Sequence, residues 1–222
     1  KLTPDSPIAH IEHANILLLL HGDKKEDDAA NAFEKAGKLK RLGRDGKVGE
    51  ITGVPQVAHR GQGGLGDVVL HPQFATNQLV YWSFSEAGPG GAGTAVARGK
   101  LDGNALANVQ VIFRQQPKVS GGNNHFGSRL VWARDGRLFV GLGDRSTRKD
   151  DAQTLDNHMG KVVRIEADGK VPANNPFAQR SGAKAEIWSY GHRNIQGAAL
   201  HPGSGELWTV EHGPQGGDEL NV

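Results

Sequence analysis

The chain has 222 residues, with 26 Lys and Arg against 24 Asp and Glu scattered along it, a balance that excludes nucleic acid as its main partner. It contains no Cys, which removes disulfides, thiolate metal sites and Cys nucleophiles and leaves any chemistry to His, Asp, Glu, Arg or a bound cofactor. Gly is abundant, at 32 residues against 10 Pro, without a Gly-X-Y period, so the composition is that of a turn-rich β protein and not of a collagen.

The longest apolar run, Ile16 to Leu20, is far shorter than the roughly 20 residues of a membrane-spanning helix. No signal-peptide pattern is visible, and a mature form with its leader removed is one reading of the first residues. Residues 1–45 are the least readable part. Asp23 to Lys35 is charged and helix-permissive, and reads as a solvated helix or loop.

From Lys38 onward short β-type runs alternate with turn signals such as Asp135-Gly136, Asp168-Gly169 and Gly203-Ser204-Gly205. A turn of helix is expected only around Asp151 to His158. Three segments share one plan, a Gly-rich approach followed by two apolar strands around a turn. The first follows Gln62 with strands at Asp67–Leu70 and Leu79–Ser83. The second follows His125 with strands at Ser128–Trp132 and Arg137–Leu142, ending at Asp144. The third follows Arg193 and Asn194 with strands at Ala198–Leu200 and Glu206–Val210, ending at Gly213-Pro214. Hairpins repeated every 60 to 70 residues predict blades of a propeller.

That plan gathers the unusual polar residues. In an antiparallel hairpin the start of the first strand and the end of the second lie together. Gln62, His125, Arg193 and Asn194 are therefore expected at the same end as Asp144 and Gly213-Pro214. His125 and Asp144 read either as a catalytic pair, the carboxylate fixing one imidazole tautomer, or as two turn residues. The other nine His residues show no comparable partner pattern and read as structural or surface groups. Arg193-Asn194 suits a carboxylate or quinone oxygen, or lies simply at the surface. Glu211 to Asn221 mixes acidic residues with exposed carbonyls, as calcium requires, but lacks the EF-hand spacing. Gly61 to Gly66 is a weak phosphate-loop motif, with no Lys-Ser/Thr and no helix after it. No Gly-x-Ser-x-Gly elbow supports a serine hydrolase.

Taken together, GQGGLGDVVLHPQF, NNHFGSRL with LFVGLGD, MGKVVRIEADGKVPANNPF, EIWSYGHRNIQG and EHGPQGGDELN resemble the soluble quinoprotein sugar dehydrogenases, and more closely their aldose sugar dehydrogenase branch. The resemblance covers about residues 46–222. It implies an all-β, six-bladed β-propeller, of which this chain covers roughly four blades in one propeller domain over residues 1–222. It also implies pyrroloquinoline quinone (PQQ) and Ca2+ as cofactors, oxidation of the C1 hydroxyl of aldose sugars to lactones, an external electron acceptor and a periplasmic or secreted location. By position, His125 resembles the general base, Asp144 its orienting carboxylate, Gln62 a cofactor-contacting glutamine, and Arg193 and Asn194 the PQQ-binding pair. Gly213 and Pro214 match carbonyl ligands of the catalytic calcium, and Glu219 a ligand of a second, structural calcium. A calcium-dependent propeller lactonase and a cofactor-free binding module are the alternatives.

Two departures stand out. Residues 9–36 lack the family's opening strand pair with a Pro-Asp-Gly-like turn. The family continues through about two more blades after the position of Val222, so further polypeptide completing the propeller is expected. Gly66 stands where a larger apolar residue is common, which predicts looser packing there.

Overall fold

The computed structural model describes residues 17–21, 38–42 and 46–222. The stretch Asp23 to Lys35 lies outside them. Among the described residues, fourteen strands form four antiparallel sheets. The first holds β1 (Leu17–His21), β2 (Lys38–Leu42) and β3 (Val48–Ile51). The second runs β4 (Leu65–Leu70), β5 (Leu79–Gly88), β6 (Gly91–Asp102), β7 (Ala105–Arg114). The third runs β8 (Gly127–Trp132), β9 (Leu138–Leu142), β10 (Lys161–Ile165), β11 (Ile187–Tyr190), and the fourth β12 (Ile195–Leu200), β13 (Leu207–Glu211), β14 (Glu219–Asn221). Strands succeed one another in chain order within each sheet, and the leading strands β1, β4, β8 and β12 contact each other in sequence. These are four blades of a β-propeller arranged around their first strands. No helix among the described residues is long and apolar enough to cross a membrane.

The three expected hairpins are β4–β5, β8–β9 and β12–β13. The second strands β5 and β9 are sandwiched, which explains why they read as continuous apolar runs and not as alternating ones, whereas in β13 Val210 is exposed. In β5, Val80, Trp82 and Phe84 face the layer shared with Leu39 and Ile51 of the first blade, whereas Tyr81 faces the layer shared with Leu138 and Val140 of the third. In β9, Leu138, Val140 and Leu142 pack toward the second blade while Phe139 joins Ile195 and Trp188 toward the fourth. Period-two alternation thus supplies both faces of one blade to two different cores. The helical element expected near Asp151 is a 3-10 turn at Lys149–Gln153, and the β4–β5 turn also contains a helical turn at Phe74–Asn77.

A register shift recurs at the start of three of the four leading strands, β4, β8 and β12, at Leu65/Asp67, Gly127/Leu130 and Ile195/Gly197. Such bulges twist a strand and re-aim its first residues. Two of the inter-blade bonds are made beside them. Asp67 Oδ2 accepts the Leu130 amide at 3.0 Å, and Asn194 Oδ1 accepts the Gly127 amide at 3.0 Å. Burial pushes the Asp67 carboxyl up from its ordinary value, against the opposing pull of the Leu130 amide and Arg129.

Packing at Gly66 is tight, not loose. A Cβ there would overlap Ser128 Cβ and lie 2.8 Å from the Oγ atoms of Ser128 and Ser83. The volume a larger side chain would need is already filled by the third blade, through Ser128, which is buried at φ +79°. Gly66→Ala is therefore expected to destabilise the fold by about 1–3 kcal/mol, the usual cost of overpacking a filled core. Chemical denaturation checks this; an unchanged midpoint would contradict it.

Candidate active site

The blade ends place His125 beside Asp144. The His125 Nδ1–Asp144 Oδ1 distance is 2.7 Å, with both side chains nearly inaccessible to solvent. A carboxylate can only accept, so Nδ1 carries a proton, and in the neutral ring the free lone pair is on Nε2. Asp144 Oδ1 also accepts the Ser146 amide at 2.7 Å. Gln62 completes the seat, its Oε1 accepting the His125 amide at 2.9 Å while its own amide donates to Asn123 O at 2.7 Å.

The loop carrying His125 is held in an unusual conformation. His125 has φ +54°, and Ser128, Arg145 and Ser146 nearby are also in the left-handed region. Arg145 grips this loop from beneath. Its guanidinium stacks 3.4 Å from the centre of the Phe126 ring and donates to the carbonyls of Asn124 (3.2 Å) and Gly122. Burial lowers its pKa to about 10 against the opposing attraction of Asp144, so it remains charged at neutral pH.

The fourth blade contributes Arg193 and Asn194. Asp144 donates its amide to Arg193 O at 2.9 Å, and Asn194 Oδ1 receives Gly127 N, so both residues are tied to the His125 loop. Their own amides converge on one carboxylate. Glu211 Oε2 accepts Arg193 N at 2.6 Å and Asn194 N at 3.0 Å, while Oε1 accepts His192 Nδ1 and Asn221 Nδ2, each at 2.9 Å. Ser189 Oγ meets the other nitrogen of His192 at 2.7 Å. Burial pushes the Glu211 carboxyl up, but the His192 hydrogen bond and the two amides outweigh it and hold the group below its ordinary value. Arg193 Nη1 reaches His212 O at 3.0 Å, next to Gly213-Pro214.

The His192–Glu211 pair corrects the sequence reading, in which His125 alone had a carboxylate partner. Both pairs span nineteen residues, from the approach of a leading strand to the end of its neighbour. That repeated spacing was the available signal. His158, also taken as unpartnered, donates through Nε2 to Glu186 at 2.8 Å and accepts the Gln116 amide at 2.9 Å through Nδ1.

Gly213 and Pro214 lie in the turn between β13 and β14. Asp218 closes this turn, Oδ1 accepting Gly213 N at 3.1 Å and Oδ2 lying 3.3 Å from His212 Nδ1. A Cβ on Gly213 would run into the carbonyls of Gly216 and Gly217, so backbone oxygens crowd this turn. Glu219 pairs with Glu211 across β13–β14 and is exposed. No cluster of three or more acidic or His side chains suited to a metal occurs among the described residues.

The sequence model describing glucose/sorbosone dehydrogenases matches residues 25–222. The chain belongs to that family. It is 51% identical over 175 residues to aldose sugar dehydrogenase YliI of Escherichia coli K12, covering 78% of this chain and 47% of that protein. A solved glucose dehydrogenase shares 44% identity at a TM-score of 0.86, with 97% of this chain and 59% of that chain covered. The PQQ-bound form of the aldose sugar dehydrogenase from Streptomyces coelicolor shares 30% at a TM-score of 0.75, over 93% and 56% of the two chains. The chain spans about half the length of the curated relatives it matches.

The His158–Glu186 pair gives a pH prediction. Burial depresses the His158 pKa below 6.5 against the pull of Glu186, with Lys184 and Lys161 also opposing its charge. Glu186 lies below 4.5 because its bond and attraction to His158 outweigh its own burial. Both folded values are depressed, so the stability they supply is present above pH 6.5 for His158 and 4.5 for Glu186. It is lost as pH falls through their lower folded values. The melting temperature should drop on acidification from pH 7 to 4, and more steeply in Glu186→Gln, where the carboxylate that favours the charged His158 ring against its burial is gone. Equal slopes would exclude this pair as a source of acid sensitivity.

Proposed function

We propose that this chain provides the catalytic face of a PQQ- and calcium-dependent aldose sugar dehydrogenase, oxidising the C1 hydroxyl to the lactone with electrons leaving to an external acceptor. A periplasmic or secreted location belongs to the same proposal. The observation that carries it is the His125–Asp144 pair with Nε2 unengaged, set within hydrogen-bonded reach of an Arg-Asn dipeptide from the next blade.

The donor set fits the quinone. An anionic, planar, oxygen-rich group suits the Arg193 guanidinium and the side-chain amides of Gln62 and Asn194. Relatedness to a protein solved in its PQQ-bound form supports the same assignment. The carbonyl-rich turn at Gly213-Pro214 fits a hard cation, which takes backbone oxygens without needing a carboxylate cluster. Glu219 is proposed for a second, structural calcium. When bound, the quinone and its calcium supply two-electron acceptor chemistry that no side chain of a Cys-free protein offers.

The residues themselves account for the proton. His125 Nε2 accepts the C1 hydroxyl proton of the aldose, and Asp144 stabilises the resulting imidazolium through Nδ1. Gln62 and the strained loop fix the ring's position, so little reorientation is needed on substrate binding. Arg193 places positive charge where negative charge develops on the acceptor side.

Dye reduction by an aldose should require both added PQQ and Ca2+. Lactone hydrolysis without PQQ would instead favour a calcium lactonase, and binding without turnover a binding module. In the full-length protein, His125→Ala should retain PQQ but lower kcat by about 10²–10⁴-fold, with Asp144→Asn costing less. Near wild-type turnover in His125→Ala would remove that residue from the mechanism.

A further inference from the structure

Glu211 joins the two parts of the site contributed by the fourth blade, its carboxylate holding the amides of Arg193 and Asn194 and its backbone leading into the His212–Pro214 turn. Its carboxylate is buried, 4% exposed, and its four hydrogen bonds fill all four acceptor sites. Two of them come from consecutive backbone amides, Arg193 and Asn194. An amide pair converging on one oxygen fixes the dipeptide's backbone and leaves both side chains to other partners, Asn194 Oδ1 accepting Gly127 N and Arg193 Nη1 donating to His212 O. Glu211 is also the residue from which the chain enters the His212–Pro214 turn. Arg193 Nη1 bonds back to His212 O, closing a ring through Glu211, Arg193 and His212. His192, braced by Ser189, sets the carboxylate's orientation from the far side.

We propose that Glu211 is a positioning residue that couples the Arg193–Asn194 anion subsite to the Gly213–Pro214 carbonyl turn, so that quinone and cation bind interdependently through it. The inference rests on the functional reading above and adds the residue through which the two ligands communicate. A change at either end is transmitted because each link of the ring is hydrogen-bonded and the carboxylate has no spare acceptor: a cation drawing in the carbonyls of 213 and 214 moves Glu211, and with it the amides that seat Arg193. Reciprocity requires the quinone to tighten the cation by the same factor.

Titration of the full-length apoprotein with PQQ, in excess Ca2+ and in chelator, measures the coupling factor directly from binding, without turnover. Wild type should show PQQ binding tightened by Ca2+ on the order of 5- to 150-fold, a typical coupling range. Glu211→Gln presents an amide donor to backbone donors and should bring the factor to within about twofold of one, at a temperature where the variant remains folded. Glu186→Gln, which destabilises a different blade position, should keep the wild-type factor, because a lower global stability does not alter the ratio while the folded fraction is near one. If Glu211→Gln does not fold, Glu211→Asp, which draws the carboxylate back by one methylene, should lower the factor. A wild-type factor in whichever variant folds would overturn the role of Glu211 while leaving the functional reading intact. Absence of PQQ binding by the wild-type protein would overturn that reading and this inference with it.

Discussion

The site depends on one constraint of antiparallel pairing. The residue before a leading strand and the residue ending its partner must emerge at the same end of the blade. In the third blade this brings His125 to Asp144, and in the fourth it brings His192 to Glu211, across the same nineteen residues. Bulges at the start of both leading strands turn these approaches toward the neighbouring blade. The blade ends are then stitched together by main-chain and carboxamide bonds, Asp144 N to Arg193 O and Gly127 N to Asn194 Oδ1.

Charge is handled in the same way throughout. Leaving a charged group buried and unpaired is costly, and each one here is met by backbone. Glu211 takes two amides, Arg145 donates to loop carbonyls, and Lys161 donates to the carbonyls of Asp151, Ala152 and Met159 at 2.5–3.0 Å. Burial brings Lys161 down to about 8 despite the nearby Asp151 and Asp156 carboxylates. Backbone partners move little, so these groups fix loop geometry instead of merely decorating it. The left-handed conformations of His125, Arg145 and Ser146 persist because that geometry is over-determined.

The propeller was legible because three hairpins share a Gly-rich approach and an apolar second strand, which blades packed face to face require. The proximity of His125, Asp144, Arg193 and Asn194 was legible for the same reason. The long β6 and β7 were not resolved by that plan, since their pairing is set by register with β5 and not by a repeated turn. Glu211 was read only as part of an acidic turn, because its role arises from amides of residues seventeen and eighteen positions away. Gly66 was misread because its missing side chain is replaced by Ser128 from another blade, a contact that no local pattern reveals.

The most direct test of the account is a crystal structure of the full-length protein with PQQ, calcium and an aldose bound. The account predicts His125 Nε2 at about 3 Å from the C1 hydroxyl, the distance required of a general base, with Nδ1 still on Asp144 and Arg193 against the quinone. An aldose bound away from His125, or a ring whose Nε2 faces protein instead of sugar, would contradict it.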